Sequence, residues 1–215
     1  MFDYIVVGGG AAGCVVASRL SEDPTVSVCL LEAGGRDSNP LVHMPAGVAV
    51  MVPTAINNWQ YQTVAQKGLN GRIGYQPRGK TLGGSSSINA MAYHRGHPNN
   101  FDDWAALGNP GWSYQEVLPY FKRAEHNEDF RNEFHGQNGP LNVRFQSSPN
   151  PFIEKFIEAG AHAGYPHCVD PNGATMEGFS RVQVMQKDGQ RCSAARAYLT
   201  PNLARPNLHI ETHAH

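Results

Sequence analysis

The chain has 215 residues, 40% of them apolar and 16% charged, with 17 basic against 18 acidic side chains and a formal net charge of -1. This describes a globular polypeptide, long enough for one large domain or one domain with a sizeable insertion, and argues against disorder. No Lys or Arg run offers a strip for a phosphate backbone, which argues against a nucleic-acid partner.

The first predicted element is a β-branched apolar strand, Asp3 to Val7, running straight into the glycine turn Gly8-Gly9-Gly10-Ala11-Ala12-Gly13. A helix is expected from Cys14 to Leu20 and a second apolar strand from Val26 to Leu31, ending at Glu32. Strand, glycine turn, helix and strand make a βαβ unit of a doubly wound α/β sheet, in which both strands are expected to be buried. No basic stretch, apolar core and cleavage site precede the first strand, so no secretory signal is read. Cys14, Cys29, Cys168 and Cys192 form no Cys-x-x-Cys pair. They read as reduced and structural, as in a cytoplasmic protein.

Gly8-x-Gly10-x-x-Gly13 carries a specific chemistry. The first glycine permits the tight turn, the second lets backbone approach a pyrophosphate, and the third lets helix and strand pack closely. Amides at the helix N-terminus face the negative charge. Glu32, 24 residues after Gly8, is placed to accept hydrogen bonds from both ribose hydroxyls and to repel a 2′-phosphate. The expected ligand is an ADP moiety, from FAD or NAD, with NADP disfavoured. The motif's position at the amino terminus, with Glu32-Ala33-Gly34-Gly35 after it, leans toward FAD.

From Ala33 to about Gly79 the sequence is rich in Gly, Pro and Asn, with little periodicity, an excursion that is usually functional. Its longest apolar stretch, Met44 to Ile56, is interrupted by Pro45 and Pro53. It is shorter than the roughly 20 residues a spanning helix requires, although contact with a membrane surface stays open. Next comes Gly79-Lys80-Thr81-Leu82-Gly83-Gly84-Ser85-Ser86-Ser87-Ile88-Asn89-Ala90-Met91-Ala92-Tyr93. Two glycines followed by three serines let backbone approach a flat ring, with amides and hydroxyls able to bond its carbonyls. No Gly-x-Ser-x-Gly elbow is present, which argues against a serine nucleophile.

Helical patterns resume at Tyr114 to Arg123, with Val117, Leu118 and Phe121 on one face. They appear again at Pro151 to Ala163, where Phe152, Phe156, Ile157 and Ala161 are expected to share one. Gly136 to Pro140 reads as a turn before a strand, Leu141 to Phe145. Arg181 to Gln186 alternates as a half-buried strand does, and Ser193 to Leu199 reads as a helix. In the last segment, Leu208 to His215, Leu208, Ile210, Thr212 and Ala214 alternate with His209, Glu211, His213 and His215. This core-like strand has no closing element after it.

The 79–93 segment resembles the first signature of the glucose-methanol-choline oxidoreductases. The amino-terminal glycine motif, Glu32 to Gly35, Asn58-Trp59-Gln60-Tyr61 and Ser193-Ala194-Ala195-Arg196-Ala197-Tyr198-Leu199 resemble that family too, in its order. The resemblance implies an FAD-binding, Rossmann-like doubly wound domain in residues 1–97, inserted helices and the start of a substrate-binding domain in 98–189, and a return to the FAD-binding domain in 190–215. It implies that Gly8, Gly10, Ala11, Ala12, Gly13, Glu32 and Ala33 hold the ADP half of FAD. Arg78, Gly79, Leu82, Gly84, Asn89, Ala90, Met91 and Ala92 would line the pyrophosphate, ribityl chain and flavin, with Trp59 nearby. Ile88 stands where some relatives attach FAD through a histidine, so the flavin is expected to be noncovalent.

Within the family, Asn39 to Pro45, the spelling of the signature, and Gln186 to Arg191 look most like bacterial membrane-associated dehydrogenases of aliphatic primary alcohols, with choline dehydrogenases next. The implied reaction moves a hydride from the carbinol carbon to the flavin, giving an aldehyde, and electrons pass to a quinone or other acceptor. The implied base is a histidine of the far carboxyl-terminal part, so the expectation is a chain that stops short of it and has little turnover alone. His94 and His97 are the nearest local candidates, but surface or structural roles are favoured for both. A His213–His215 metal pair lacks a third ligand, and no metal is expected. The expected location is cytoplasmic, with peripheral contact at the inner membrane face left open. The competing readings are a noncatalytic nucleotide-binding module and an NAD-dependent dehydrogenase.

Overall fold

A computed structural model describes residues 1–215 as two compact units, Met1–Met91 with Lys187–His215, and Ala92–Gln186. The division falls at 91/92 and 186/187 rather than at the 97/98 and 189/190 expected from sequence. The reason is local: Ala92 bridges Val184 and the Tyr93 amide donates to the Gln183 carbonyl at 2.8 Å, so residues 92–97 are tied into the second unit.

The first unit is an α/β layer built on a three-stranded parallel sheet. Strand β1 (Tyr4–Val7) pairs with β2 (Val28–Glu32), which pairs in turn with the carboxyl-terminal strand Leu208–Thr212. Val28, Cys29 and Leu30 of the central strand are buried. Each fully buried Val or Leu contributes roughly 1.5–3 kcal/mol. Strand β1 departs from expectation. It lies at the sheet edge, with Tyr4, Ile5 and Val7 exposed, because its continuous apolar run has a neighbour on one side only.

Helix α1 (Ala11–Leu20) starts three residues earlier than the predicted Cys14, at the two alanines that follow the turn. Its buried face is Cys14, Ala17 and Ser18, small side chains at i, i+3 and i+4 that let Ala195–Leu199 pack closely against it. That second segment winds as a wide π-type turn instead of an ordinary α-helix. The carboxyl end of α1 is secured by Arg205, which donates to the Ser18 carbonyl at 2.6 Å, where a cation complements the helix dipole. The irregular 33–79 stretch folds as short helical turns and a two-stranded hairpin, Tyr61–Gln62 with Tyr75–Gln76. Asn58 organises it, accepting from the Gln60 and Arg78 amides at 3.0 Å each.

In the second unit, helix Pro98–Ala106 is N-capped by His97, whose Nδ1 accepts from the Asn99 amide. Phe101 of that helix is buried, edge-on to Phe121 of helix Tyr114–Ala124. Helix Phe152–His162 buries Ile157 and Gly160, against Phe179. The predicted apolar face fails there, since Phe152 and Phe156 are 76% and 66% exposed. Strands Glu125–Asn127 and Leu141–Val143 pair in parallel.

The core of this unit is ionic. Glu125 receives Arg95 Nη2 at 2.8 Å and the Gly136 amide at 2.8 Å, and His135 Nδ1 lies 3.0 Å from it. The other ring nitrogen of His135 lies 2.9 Å from Asp170. Burial opposes the imidazolium, but Asp170 and Glu125 outweigh it and raise its pKa to about 9. Burial likewise opposes the Glu125 and Asp170 carboxylates, and their hydrogen bonds to His135 outweigh it, so both lie below the usual range. No helix in the structure is long and apolar enough to cross a membrane.

Candidate nucleotide-binding site

The site is built from three backbone segments of the first unit. Gly8 turns the chain out of β1 with φ +93°, a conformation that side chains rarely adopt. The first amide of the α1 ladder belongs to Cys14, donating to the Gly10 carbonyl at 2.9 Å, so the amides of Ala11, Ala12 and Gly13 precede that ladder. No acidic side chain occupies the first turn of α1, and Gly10 supplies no side-chain cap. The positive end of the helix dipole is therefore left for an anion. A Cβ on Gly13 would overlap the Gly8 carbonyl, which is why this helix can start so close beneath the strand.

Glu32, at the end of β2, is 5% exposed. Its two oxygens accept from the Gly9 and Gly34 amides, each at 2.8 Å. A carboxylate has about four lone-pair positions, so each oxygen can accept another hydrogen bond. The acid is thus held by backbone alone and keeps acceptor capacity toward the cavity that it lines.

The third segment is the double-glycine stretch, which threads between the other two. Thr81 bridges Gly35, the Leu82 amide donates to the Gly35 carbonyl at 3.1 Å, and the Gly83 amide donates to the Gly9 carbonyl at 2.7 Å. A Cβ on Gly34 would overlap Lys80 backbone. Gly84, at φ +53°, lies so close over the first motif that a Cβ there would be 2.7 Å from Gly10 Cα. The two glycine-rich stretches, about seventy positions apart, are in direct backbone contact.

Together they enclose a cavity of about 500 Å³, lined by Val7, Gly8, Gly10, Leu31, Glu32, Ala33, Trp59, Gly79, Gly84, Ala214 and His215. This is within the usual range for small-molecule sites. Trp59 stacks on Tyr61, with centroids 5.5 Å apart, and Lys80 Nζ lies 4.2 Å over its ring. The cavity thus combines glycine backbone, one carboxylate and one aromatic wall. His215 adds an imidazole, no Ser, Thr, Cys or Lys lines it, and the nearby Cys14 thiol is pushed up to about 12 by burial.

Of the residues singled out from sequence, Gly8, Gly10, Glu32, Ala33, Trp59, Gly79 and Gly84 line this cavity. Ala11, Ala12 and Gly13 follow in the first turn of α1, and Leu82 packs against Gly9. Arg78 is not among the lining residues; it is exposed, with its amide on Asn58. Asn89, Ala90 and Met91 continue from the Gly84–Ser87 turn, while Ala92 lies in the second unit. Ile88 is buried in an apolar cluster with Val42 and Met51. Sequence reasoning missed Val7, Leu31 and Ala214, whose only signal is their place in or beside the apolar strands. It also missed His215 as a cavity residue. The strand ends at Thr212 and His213 is left-handed at φ +60°, so the alternation expected of the last two histidines breaks. His215 turns toward Trp59. His94 meets Asn172 in the second unit.

A family model described as GMC oxidoreductase matches residues 2–215. Among curated proteins, the chain is 50% identical over 216 residues to an alcohol dehydrogenase [acceptor] of Pseudomonas putida, covering 100% of this chain and 39% of that one. It is 46% identical over 208 residues to an oxygen-dependent choline dehydrogenase of Sinorhizobium fredii, covering 97% and 38%. Among solved structures, pyridoxine 4-oxidase from Mesorbium loti superposes with a TM-score of 0.93 at 38% identity, over 99% of this chain and 42% of that one. An FAD-dependent oxidoreductase from Chaetomium thermophilum gives 0.90 at 31% identity, over 98% and 38%. The chain spans 38–39% of the length of these curated relatives.

Proposed function

The chain belongs to the GMC oxidoreductase family, and from that premise we propose that it is the FAD-binding, amino-terminal part of an enzyme that oxidises an aliphatic primary alcohol to its aldehyde. The observation that carries this reading is the convergence of Gly8–Gly13 and Gly79–Gly84 on one cavity beside Glu32. The residues fit the cofactor. Amides of Ala11, Ala12 and Gly13 face the pyrophosphate, where the helix dipole favours its charge. Glu32 accepts from the adenosine ribose, and its own hold on Gly9 and Gly34 keeps the turn in register with β2.

Gly79, Leu82, Gly84, Asn89, Ala90, Met91 and Ala92 serve the flavin side, with Arg78 at the pyrophosphate and Trp59 alongside. When bound, the flavin supplies the hydride acceptor for the carbinol carbon. This chain's residues orient the dinucleotide and exclude water from its adenosine half. The base that takes the hydroxyl proton is assigned to the part of the relatives' length that this chain does not span, so the chain alone is expected to turn over poorly. Ile88, a buried aliphatic side chain with no nucleophile, supports noncovalent binding. A quinone or similar carrier takes the electrons, in the cytoplasm or at the inner membrane face.

Choline is the second substrate to test, supported by the 46% identity to a choline dehydrogenase. The experiment is a titration of the purified chain with FAD, NAD and NADP, followed by flavin fluorescence and by acid precipitation. FAD binding, with yellow flavin released on precipitation, supports the reading. Preference for NAD, or indifference to FAD, overturns it. An alcohol and choline panel with an artificial dye, run on a polypeptide of the relatives' full length, then separates the substrates.

A further inference from the structure

Arg191 is among the largest fully buried side chains of the molecule, 1% exposed. Its Nε donates to the Val42 carbonyl at 2.9 Å. Its Nη1 lies 2.6 Å from the Asn89 carbonyl, 3.0 Å from Asn89 Oδ1 and 3.3 Å from the Ser86 carbonyl. The remaining nitrogen, Nη2, is buried with no partner. Its oxygen partners are carbonyls and one amide oxygen, none of them a carboxylate, and burial lowers the guanidinium pKa to about 10. Burying a cation that has oxygen partners but no anionic one carries a large desolvation cost. Its presence calls for a role other than general stability.

The oxygens that Nη1 meets belong to one short stretch, Ser86 to Asn89. Asn89 Oδ1, besides facing Arg191, accepts the Met91 amide at 2.9 Å, and Met91 is left-handed at φ +62°, a conformation costly for a long side chain. Ser86 Oγ accepts the Ala194 amide at 2.9 Å, so the segment carrying Arg191 holds this turn at a second point. Such a strained residue persists only where its surroundings over-determine it. Arg191 reaches across about a hundred positions to supply that determination.

We infer that Arg191 is a positioning residue for the 86–91 turn: its guanidinium grips Ser86 and Asn89 from inside the fold and, through Asn89, holds Met91 in its left-handed conformation. The clamp stands on geometry alone. Its consequence for cofactor affinity rests on the reading of this stretch as the flavin side of the site. Guanidinium geometry is required because two nitrogens on one rigid plane must reach Val42 and Asn89 together. A lysine ammonium is a point charge and spans one of them.

The test compares Arg191→Met, Arg191→Lys and Asn89→Ala with the unmodified chain by hydrogen–deuterium exchange without cofactor. Exchange of residues 86–91 should rise about tenfold in Arg191→Met and less in Arg191→Lys, with β2 unchanged. The double variant Arg191→Met/Asn89→Ala should add little to either single change, as expected for groups acting in series. Unchanged exchange at 86–91, or full additivity, overturns the clamp. A mere stability role predicts a lower melting temperature with β2 exchanging faster as well. FAD titration is the separate arm. About tenfold weaker binding by Arg191→Met carries the clamp to the cofactor, and unchanged binding denies that link. If the unmodified chain binds no FAD, the FAD reading fails and the exchange data still decide the clamp.

Discussion

Two buried arginines divide the molecule by strategy. Arg95, in the second unit, is 5% exposed and meets Glu125, which is itself bracketed by His135 and then Asp170. Arg191, in the first unit, meets only carbonyls and one amide oxygen. The second unit neutralises its interior charge on the spot, and its cations and anions hold one another rigidly. In the first unit the one deeply buried acid of the site, Glu32, is held by backbone amides and its oxygens keep lone pairs for a ligand. One interior pairs its charges, and the other leaves glycine backbone, a helix end and an acceptor with spare lone pairs, which is what the proposed dinucleotide requires.

The contrast breaks most severely if the paired interior loses one member. Glu125→Gln leaves Arg95 buried without its anion and His135 with Asp170 alone, and is expected to cost about 3–5 kcal/mol, read by denaturant unfolding. Next comes pH. The raised pKa of His135, about 9 against an ordinary 6.5, means that its stabilisation is complete below pH 6.5 and fades as pH rises through 9. The loss amounts to roughly 3 kcal/mol. The depressed Glu125 and Asp170 act in the opposite sense, their stabilisation fading as pH falls through their folded pKa values. His135→Gln should flatten the alkaline decline in thermal melts recorded between pH 6 and 10. A melt that is level across that window denies the imidazolium its structural role.

Smaller effects belong to the open unit. Glu32→Gln turns an amide NH2 toward the Gly9 or Gly34 N–H, setting donor against donor, for about 1–3 kcal/mol. FAD titration and thermal melting together apportion that loss between ligand and fold. Gly84→Ala demands a left-handed alanine and pushes the double-glycine stretch off Gly10. About tenfold weaker FAD binding, near 1.4 kcal/mol, is the expected outcome. Binding as tight as in the unmodified chain would mean that the close approach of the two stretches is incidental.

The short-range parts of this protein were legible. The βαβ start, Glu32 at the end of β2 and the turn glycines follow from periodicity and from backbone conformations that only glycine tolerates, constraints acting within a few residues. Two apolar readings failed for a common reason. Apolar runs identify an element, but exposure depends on what lies beside it, so β1 emerged as an edge strand and Phe152 on an open helix face.

Polar interiors were invisible. Arg95, Glu125, His135 and Arg191 have the composition of surface residues, and no local pattern says that a partner thirty or a hundred positions away will bury them. From its residue order alone, the protein was already committed to a glycine turn opening a helix, an acid at the end of the next strand and a second glycine stretch. That the second stretch lands on Gly10, that an arginine from near the carboxyl terminus braces it, and that a histidine is held charged between two acids were decided by tertiary packing. Such contacts exist only once distant segments meet, and desolvation then sets what each charge is worth.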